Sequence, residues 1–254
     1  MLADPLHTYA FDVLAPPNGV LSHFQVTWAA PFLQVRIPDQ ERNPEQYEVS
    51  VLLMTRPQEP IVADALKPVA TYQSLPGNLP QDYKNWVALW NSTQPNPAGE
   101  PLARAPVSDN SQTGVLVLPY DLQKTDYCLT YQCGETAKTM CAIATIPLGS
   151  SKPAMESWVT LTIKSLTSAG ITIEYSALPN YNPNANGNWI GIWPGSGLPY
   201  PPSPDPIARY DILSPYSDEI VTIPFKPTVS QYILVYFTGA AHTSVASAIW
   251  FLIP

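Results

Sequence analysis

The sequence predicts an all-β chain built as two immunoglobulin-like β-sandwiches in tandem, related by internal duplication. Three observations predict it. Short runs rich in Val, Ile, Thr and Tyr recur along the chain, with turn-forming residues between them. Proline is abundant, at 30 of 254 residues, and its ring removes a backbone donor and breaks helix interiors. The third observation is a repeat.

Tyr72-Gln-Ser-Leu-Pro76 returns as Tyr175-Ser-Ala-Leu-Pro179, and Asn85-Trp-Val-Ala-Leu-Trp90 returns as Asn188-Trp-Ile-Gly-Ile-Trp193, both at an offset of 103. Pro101-Leu-Ala-Arg104 matches Pro206-Ile-Ala-Arg209 at an offset of 105. At that same offset Val115-Leu-Val-Leu-Pro119 matches Ile220-Val-Thr-Ile-Pro224, and Tyr127-Cys-Leu-Thr-Tyr131 matches Tyr232-Ile-Leu-Val-Tyr236. Ala142-Ile143 aligns with Ala248-Ile249. Collinear matches with so little drift indicate copying rather than chance.

The repeat divides the chain into an N-terminal strand-containing extension (1–45), a first sandwich (46–150) and a second (151–254). Gly, Ser and Pro between 148 and 154 suit an exposed connection. In the second copy strands are expected at 158–164, 170–176, 188–193, 208–212, 219–224, 231–238 and 245–253. Seven short strands in about 100 residues is an immunoglobulin-like count. Residues 47–53 are assigned the part of 158–163 in the first copy, with an insertion at 56–68. Residues 24–28 and 32–37 also read as strands, covering an edge or face of the first sandwich. Trp86 and Trp189 are expected in the two sandwich cores.

The Asn-Trp-Ile-Gly-Ile-Trp strand, followed by Ile223-Pro224 and then Tyr232 and Tyr236, resembles the SKICH domain and the N-terminal sandwich of purple acid phosphatases. Those families carry an Asp-Trp-[Ile/Val]-Gly-[Ile/Val]-[Phe/Tyr] strand and a later Tyr-rich strand. Here Asn85 and Asn188 replace the Asp, and Ala88 stands where Gly is expected. The resemblance implies an accessory or protein-interaction module and transfers no active-site residue.

Composition narrows the function. The formal net charge is −8, which argues against nucleic acid and against docking on anionic lipid. No apolar run approaches the ~18 residues of a membrane span. Met1 is followed by neither a basic nor an apolar signal region, so a cytoplasmic location, or release without a cleavable signal peptide, is expected. Cys128, Cys133 and Cys141 have no counterparts in the second half. They read as buried or half-buried reduced thiols, with a Cys133–Cys141 bridge as the alternative.

Chemistry has few places to reside. His7, His23 and His242 lack ligand-type neighbours at metal spacing. Gly195-Ser196-Gly197 lacks the spacing of a nucleophile elbow, and Asn182-Pro-Asn-Ala-Asn186-Gly187 has amides where a calcium loop needs carboxylates. No catalytic residue, metal or cofactor is assigned. Arg104 and Arg209 occupy equivalent positions, with an anion contact and a domain-internal ion pair as the two readings. Tyr181, Tyr200 and Tyr216, with Arg209, are the candidate ligand contacts, because aromatic residues in Pro- and Asn-rich connections can stack on a sugar or anchor a partner protein.

The copies also differ. Tyr232-Ile-Leu-Val-Tyr-Phe237 is apolar on both faces, and so is the last strand through Trp250 and Phe251. Val235, Phe237, Trp250 and Phe251 are therefore candidate interface residues, packed on the first copy, the N-terminal extension or a second protomer. The sequence favours a non-catalytic binding protein for a glycan or protein partner. The alternative is an assembly or effector-like protein that oligomerises through that apolar face.

Overall fold

A computed structural model describes residues 6–15, 19–29, 32–36, 67–123, 125–148, 155–195, 205–229 and 231–253. These residues form seventeen strands and one short 3-10 turn, with no α-helix among them. The fold is an all-β, sandwich-like arrangement of antiparallel sheets.

In the second half β11 (Thr160–Thr167), β12 (Gly170–Ser176) and β15 (Asp218–Pro224) form a three-stranded sheet. It faces β14 (Ala208–Asp211), β13 (Trp189–Pro194), β16 (Gln231–Phe237) and β17 (Val245–Leu252), in that order. These bounds follow the seven expected strands to within three residues. The first half repeats the scheme. There β3 (Phe32–Arg36), β4 (Val69–Gln73) and β7 (Thr113–Val117) face β6 (Ala103–Pro106), β5 (Trp86–Trp90), β8 (Tyr127–Gln132) and β9 (Met140–Ile146). Tyrosines bridge the layers at matching places. Tyr72 stacks on Tyr131 at 5.7 Å between ring centroids, and Tyr175 lies 5.9 Å from Tyr236.

Turn geometry repeats as well. Left-handed backbone occurs at Gly77 and Asn180, and again at Lys84 and Gly187, both pairs at the 103-residue offset. At the entry to β8 the Tyr127 hydroxyl accepts from the Gln123 N–H, and at the entry to β16 Tyr232 accepts from Thr228 and Val229. Such a tyrosine fixes the corner between the two layers.

The first strand of the first half lies earlier than the sequence suggests. Leu33 pairs with Tyr72 as Leu161 pairs with Tyr175, so β3 holds the place of β11. Residues 47–53, given that place from the sequence, lie outside the described residues, as do 56–66.

The segments preceding these strands cross over. β10 (Met155–Trp158) belongs to the second half but pairs with β9 of the first. β2 (Gly19–Ala29) precedes β3 but pairs with β17 of the second. The registers correspond, since Trp158 lies opposite Ala142 and Ala29 opposite Ala248. Each half thus covers the open edge of the other's larger sheet, an edge that would otherwise expose a row of unpaired backbone groups. β1 (Leu6–Ala15) then pairs with β2 and, among the described strands, with no other.

The tryptophans sit on the other side of their sheets from the expected one. Strand residues alternate between faces. Val87 and Leu89, like Ile190 and Ile192, enter the main core between the layers. Trp86, Ala88 and Trp90 therefore face outward, where they pack with Ala177, Leu178 and Tyr181 of the second half. Trp189 and Trp193 likewise face outward and pack with Leu75 of the first half. Leu75 and Leu178 are themselves equivalent residues, so each half inserts the same leucine against the other's tryptophans. Contacts of this reciprocal kind are those of a two-fold interface.

Both leucines are almost fully buried. Leu75→Ala and Leu178→Ala should each cost about 2–5 kcal/mol, the usual range for a truncated buried leucine. Ile220→Ala, at an exposed position, should stay within about 0.5 kcal/mol of wild type. Urea unfolding of the three variants measures this.

Candidate functional site

The two halves meet where β8 and β16 end. Cys133 Sγ lies 3.1 Å from Thr238 Oγ1, and these residues are equivalent at the 105-residue offset. Beside this contact opens a cleft of about 510 Å³, walled by Asp82, Lys84, Glu135 and Lys138 from the first half and by Asn186 and Thr243 from the second. A second cavity of about 290 Å³ adjoins it, walled by Gln81, Lys84, Trp86, Arg104, Pro106 and Glu135. Lys84 and Glu135 border both.

One buried asparagine stands just before β5 and another just before β13. Asn85, just before β5, accepts through Oδ1 from Asn78 Nδ2 at 2.7 Å and from the Tyr131 hydroxyl at 2.9 Å. Asn188, its equivalent, donates to the Tyr236 hydroxyl at 2.9 Å. It accepts from the Gly239 N–H at 2.9 Å and from the Tyr181 hydroxyl at 3.1 Å. The single Tyr181 proton is shared between Asn188 Oδ1 and the Lys138 carbonyl across the junction. Burial, followed by the neighbouring Tyr236 phenol, pushes Tyr181 well above the ordinary phenol range. It stays protonated and serves as a donor.

Lys84 is the unusual residue. Its φ is 56°, in the left-handed region that costs an ordinary side chain about 1–2 kcal/mol. The second half has Gly187 there, at φ 71°. The ammonium of Lys84 lies 2.9 Å from Glu135 Oε1, with both side chains more than half exposed. An ion pair that exposed contributes little to stability, so it does not explain the strain.

All three cysteines are free and buried, so the Cys133–Cys141 bridge is absent. Cys141 donates to the Tyr131 carbonyl at 3.4 Å. Burial pushes the Cys128 thiol up to about 12 and raises Cys141 well above the ordinary thiol range. Thiols held protonated are poor nucleophiles. Among the described residues, no group of three or more His, Cys, Asp or Glu side chains is placed to hold a metal.

The sequence candidates scatter. Tyr181 is buried in the junction, not displayed in a loop. Its Pro- and Asn-rich neighbourhood reads as exposed, but Leu178 beside it is pressed against the other half. Tyr216 is 71% exposed and stands apart from the cleft. Tyr200 lies outside the described residues. Arg209 forms the internal ion pair, with Nε and Nη2 each 2.8 Å from Asp211 Oδ1 and Cζ 4.2 Å above the centre of the Trp189 ring.

Of the interface candidates, Val235, Phe237 and Trp250 share the outer face that Leu75 covers. Phe251 points the opposite way, into the main core, stacked on Tyr232 at 5.6 Å. It follows Trp250 by one residue, and neighbours in a strand face opposite sides. The turn reading of 182–187 agrees with the structure, where Asn182 accepts from Ala185 N–H through its side chain and from Asn186 N–H through its carbonyl. Sequence reasoning missed Asp82, Lys84, Glu135 and Lys138. The one available signal was the pairing of Lys84 with Gly187 in the repeat.

No protein-family model matches the chain, and a search of curated proteins gives no match.

The raised Cys128 thiol has a consequence for pH. Its folded value of about 12 exceeds the ordinary 9.0. The stability it contributes is therefore complete below about pH 9 and is lost as pH rises towards 12. Urea midpoints measured from pH 8 to pH 11 should fall less steeply for Cys128→Ala than for wild type.

Proposed function

We propose that this chain is a non-catalytic binding protein that takes a short glycan in the cleft between its two halves. The observation that carries this reading is Lys84. It keeps an unfavourable backbone conformation where the equivalent residue is glycine, and it borders both cavities. Strain retained without a stabilising return points to function. The cleft has the volume of a small-molecule site. Its lining of one amide, several hydroxyls and both signs of charge suits a polar, hydroxyl-rich ligand.

The reading includes an architecture. We infer two immunoglobulin-like domains from internal duplication, supported by matched registers, matched tyrosine corners and the three-plus-four strand arrangement in each half. The repeating unit then begins near Thr27, because β2 and β3 correspond to β10 and β11. A non-enzymatic role also agrees with the resemblance to accessory sandwich domains. The alternative, oligomerisation through the outer face of the second half, draws no support from that face. Val235 and Phe237 are already buried within the chain.

Lys84→Gly separates function from stability. The variant should be as stable as wild type or up to about 1 kcal/mol more so, since glycine adopts positive φ freely. Its signal on a glycan array should drop. Wild-type protein that engages no glycan, or a Lys84→Gly variant with an unchanged array profile, contradicts the reading.

A further inference from the structure

Each half sets an arginine and a tryptophan at matching register positions, with different surroundings. In the second half Arg209 lies opposite Gly191, and Asp211 lies opposite Trp189. The Asp211 carboxylate accepts both guanidinium contacts while the guanidinium covers the Trp189 ring. In the first half Arg104 lies opposite Ala88, and Pro106 lies opposite Trp86. The arginine and tryptophan are retained, but proline has replaced the carboxylate. Arg104 has no ion-pair or hydrogen-bond partner among the described residues, and it borders the 290 Å³ cavity together with Trp86 and Pro106.

We propose that this cavity is a carboxylate site, and that the carboxylate of an acidic sugar on the ligand takes beside Arg104 the role that Asp211 plays beside Arg209. The proposal rests on the glycan reading of the adjoining cleft and gives it a substrate class. A guanidinium presents a planar fork of donors matched to a carboxylate. The cavity is larger than that group alone, leaving room for a ring that carries it. Gln81 and Lys84 supply further donors for hydroxyls. Lys84, Arg104 and Glu135 are the charged residues of the lining, so its net charge is one positive unit. That balance favours a singly charged carboxylate over a doubly charged phosphate ester. The continuity with the larger cleft through Lys84 and Glu135 lets neutral neighbouring units lie beyond the acidic one.

The test is 15N–1H NMR titration of the intact protein with sodium glucuronate, glucose and the C-terminal carboxylate of an N-acetylated dipeptide, reading the Trp86 indole N–H and Arg104 Nε–H. Glucuronate should shift both signals saturably and bind about tenfold or more tightly than glucose. Arg104→Gln should abolish that preference. Pro106→Asp, which installs the internal carboxylate, should block glucuronate while leaving the thermal midpoint close to wild type. Asp211→Ala should create a second responding site at the Trp189 indole, a gain that misfolding cannot imitate. Equal binding of glucose and glucuronate overturns the carboxylate site but leaves the cleft reading standing. Binding of glucose alone at the cleft residues does the same. Binding of the dipeptide without glucuronate overturns the acidic-sugar assignment. Silence of the cleft and cavity resonances to every probe, with no glycan engaged on the array, overturns both.

Discussion

Four tryptophans turned away from their own sandwich cores govern how this chain is assembled. An indole buries a large apolar surface, and an outer sheet face displaying two of them must be covered. Each half meets that requirement with the other's loop, through Leu178 over Trp86 and Trp90 and Leu75 over Trp189 and Trp193. The crossing of β2 and β10 belongs to the same solution. Once the loops are interlocked, each leading segment lies beside the partner's last strand and pairs with it. The polar cleft follows in turn, because it opens where two rims that resemble one another face across the junction.

The halves solve the same packing problem with different chemistry. In the first, Trp86 Nε1 donates to the Gly134 carbonyl at 2.9 Å and Trp90 Nε1 to Thr130 Oγ1 at 2.8 Å. In the second, Val235 replaces Thr130 and Phe237 replaces Gln132. Trp189 lies flat on Phe237, at 3.9 Å and 3° between rings, and its N–H has no partner among the described residues. Stacking there substitutes for a hydrogen bond. Gly191 is required by that arrangement, since a Cβ would meet the Trp193 ring at 2.5 Å. In the first half the Trp90 ring is anchored at Thr130, and Ala88 is tolerated.

Strands and turns were legible because period-two patterns and turn residues are local signals. Which face carries the core was not. Trp86–Trp90 is buried at every position, and a strand apolar on both sides has no alternation to orient it. The first strand of the first half was hidden by the connection between Arg36 and Val69, which breaks the constant offset. β10 is only four residues long, two of them polar, so nothing in it announces a partner in the other half. The cleft was illegible for a related reason. Its residues come from turns of both halves, and a single sequence does not reveal that Glu135 and Asn186 border one space.

The two halves are interlocked rather than merely linked. A specific protease site placed between Leu148 and Met155 allows the folded protein to be cut and its mass in solution measured by light scattering. Interlocking predicts that both fragments remain together as one particle of unchanged mass and part only when the fold is lost in denaturant. Two separately folded fragments, released on cleavage in native buffer, contradict it.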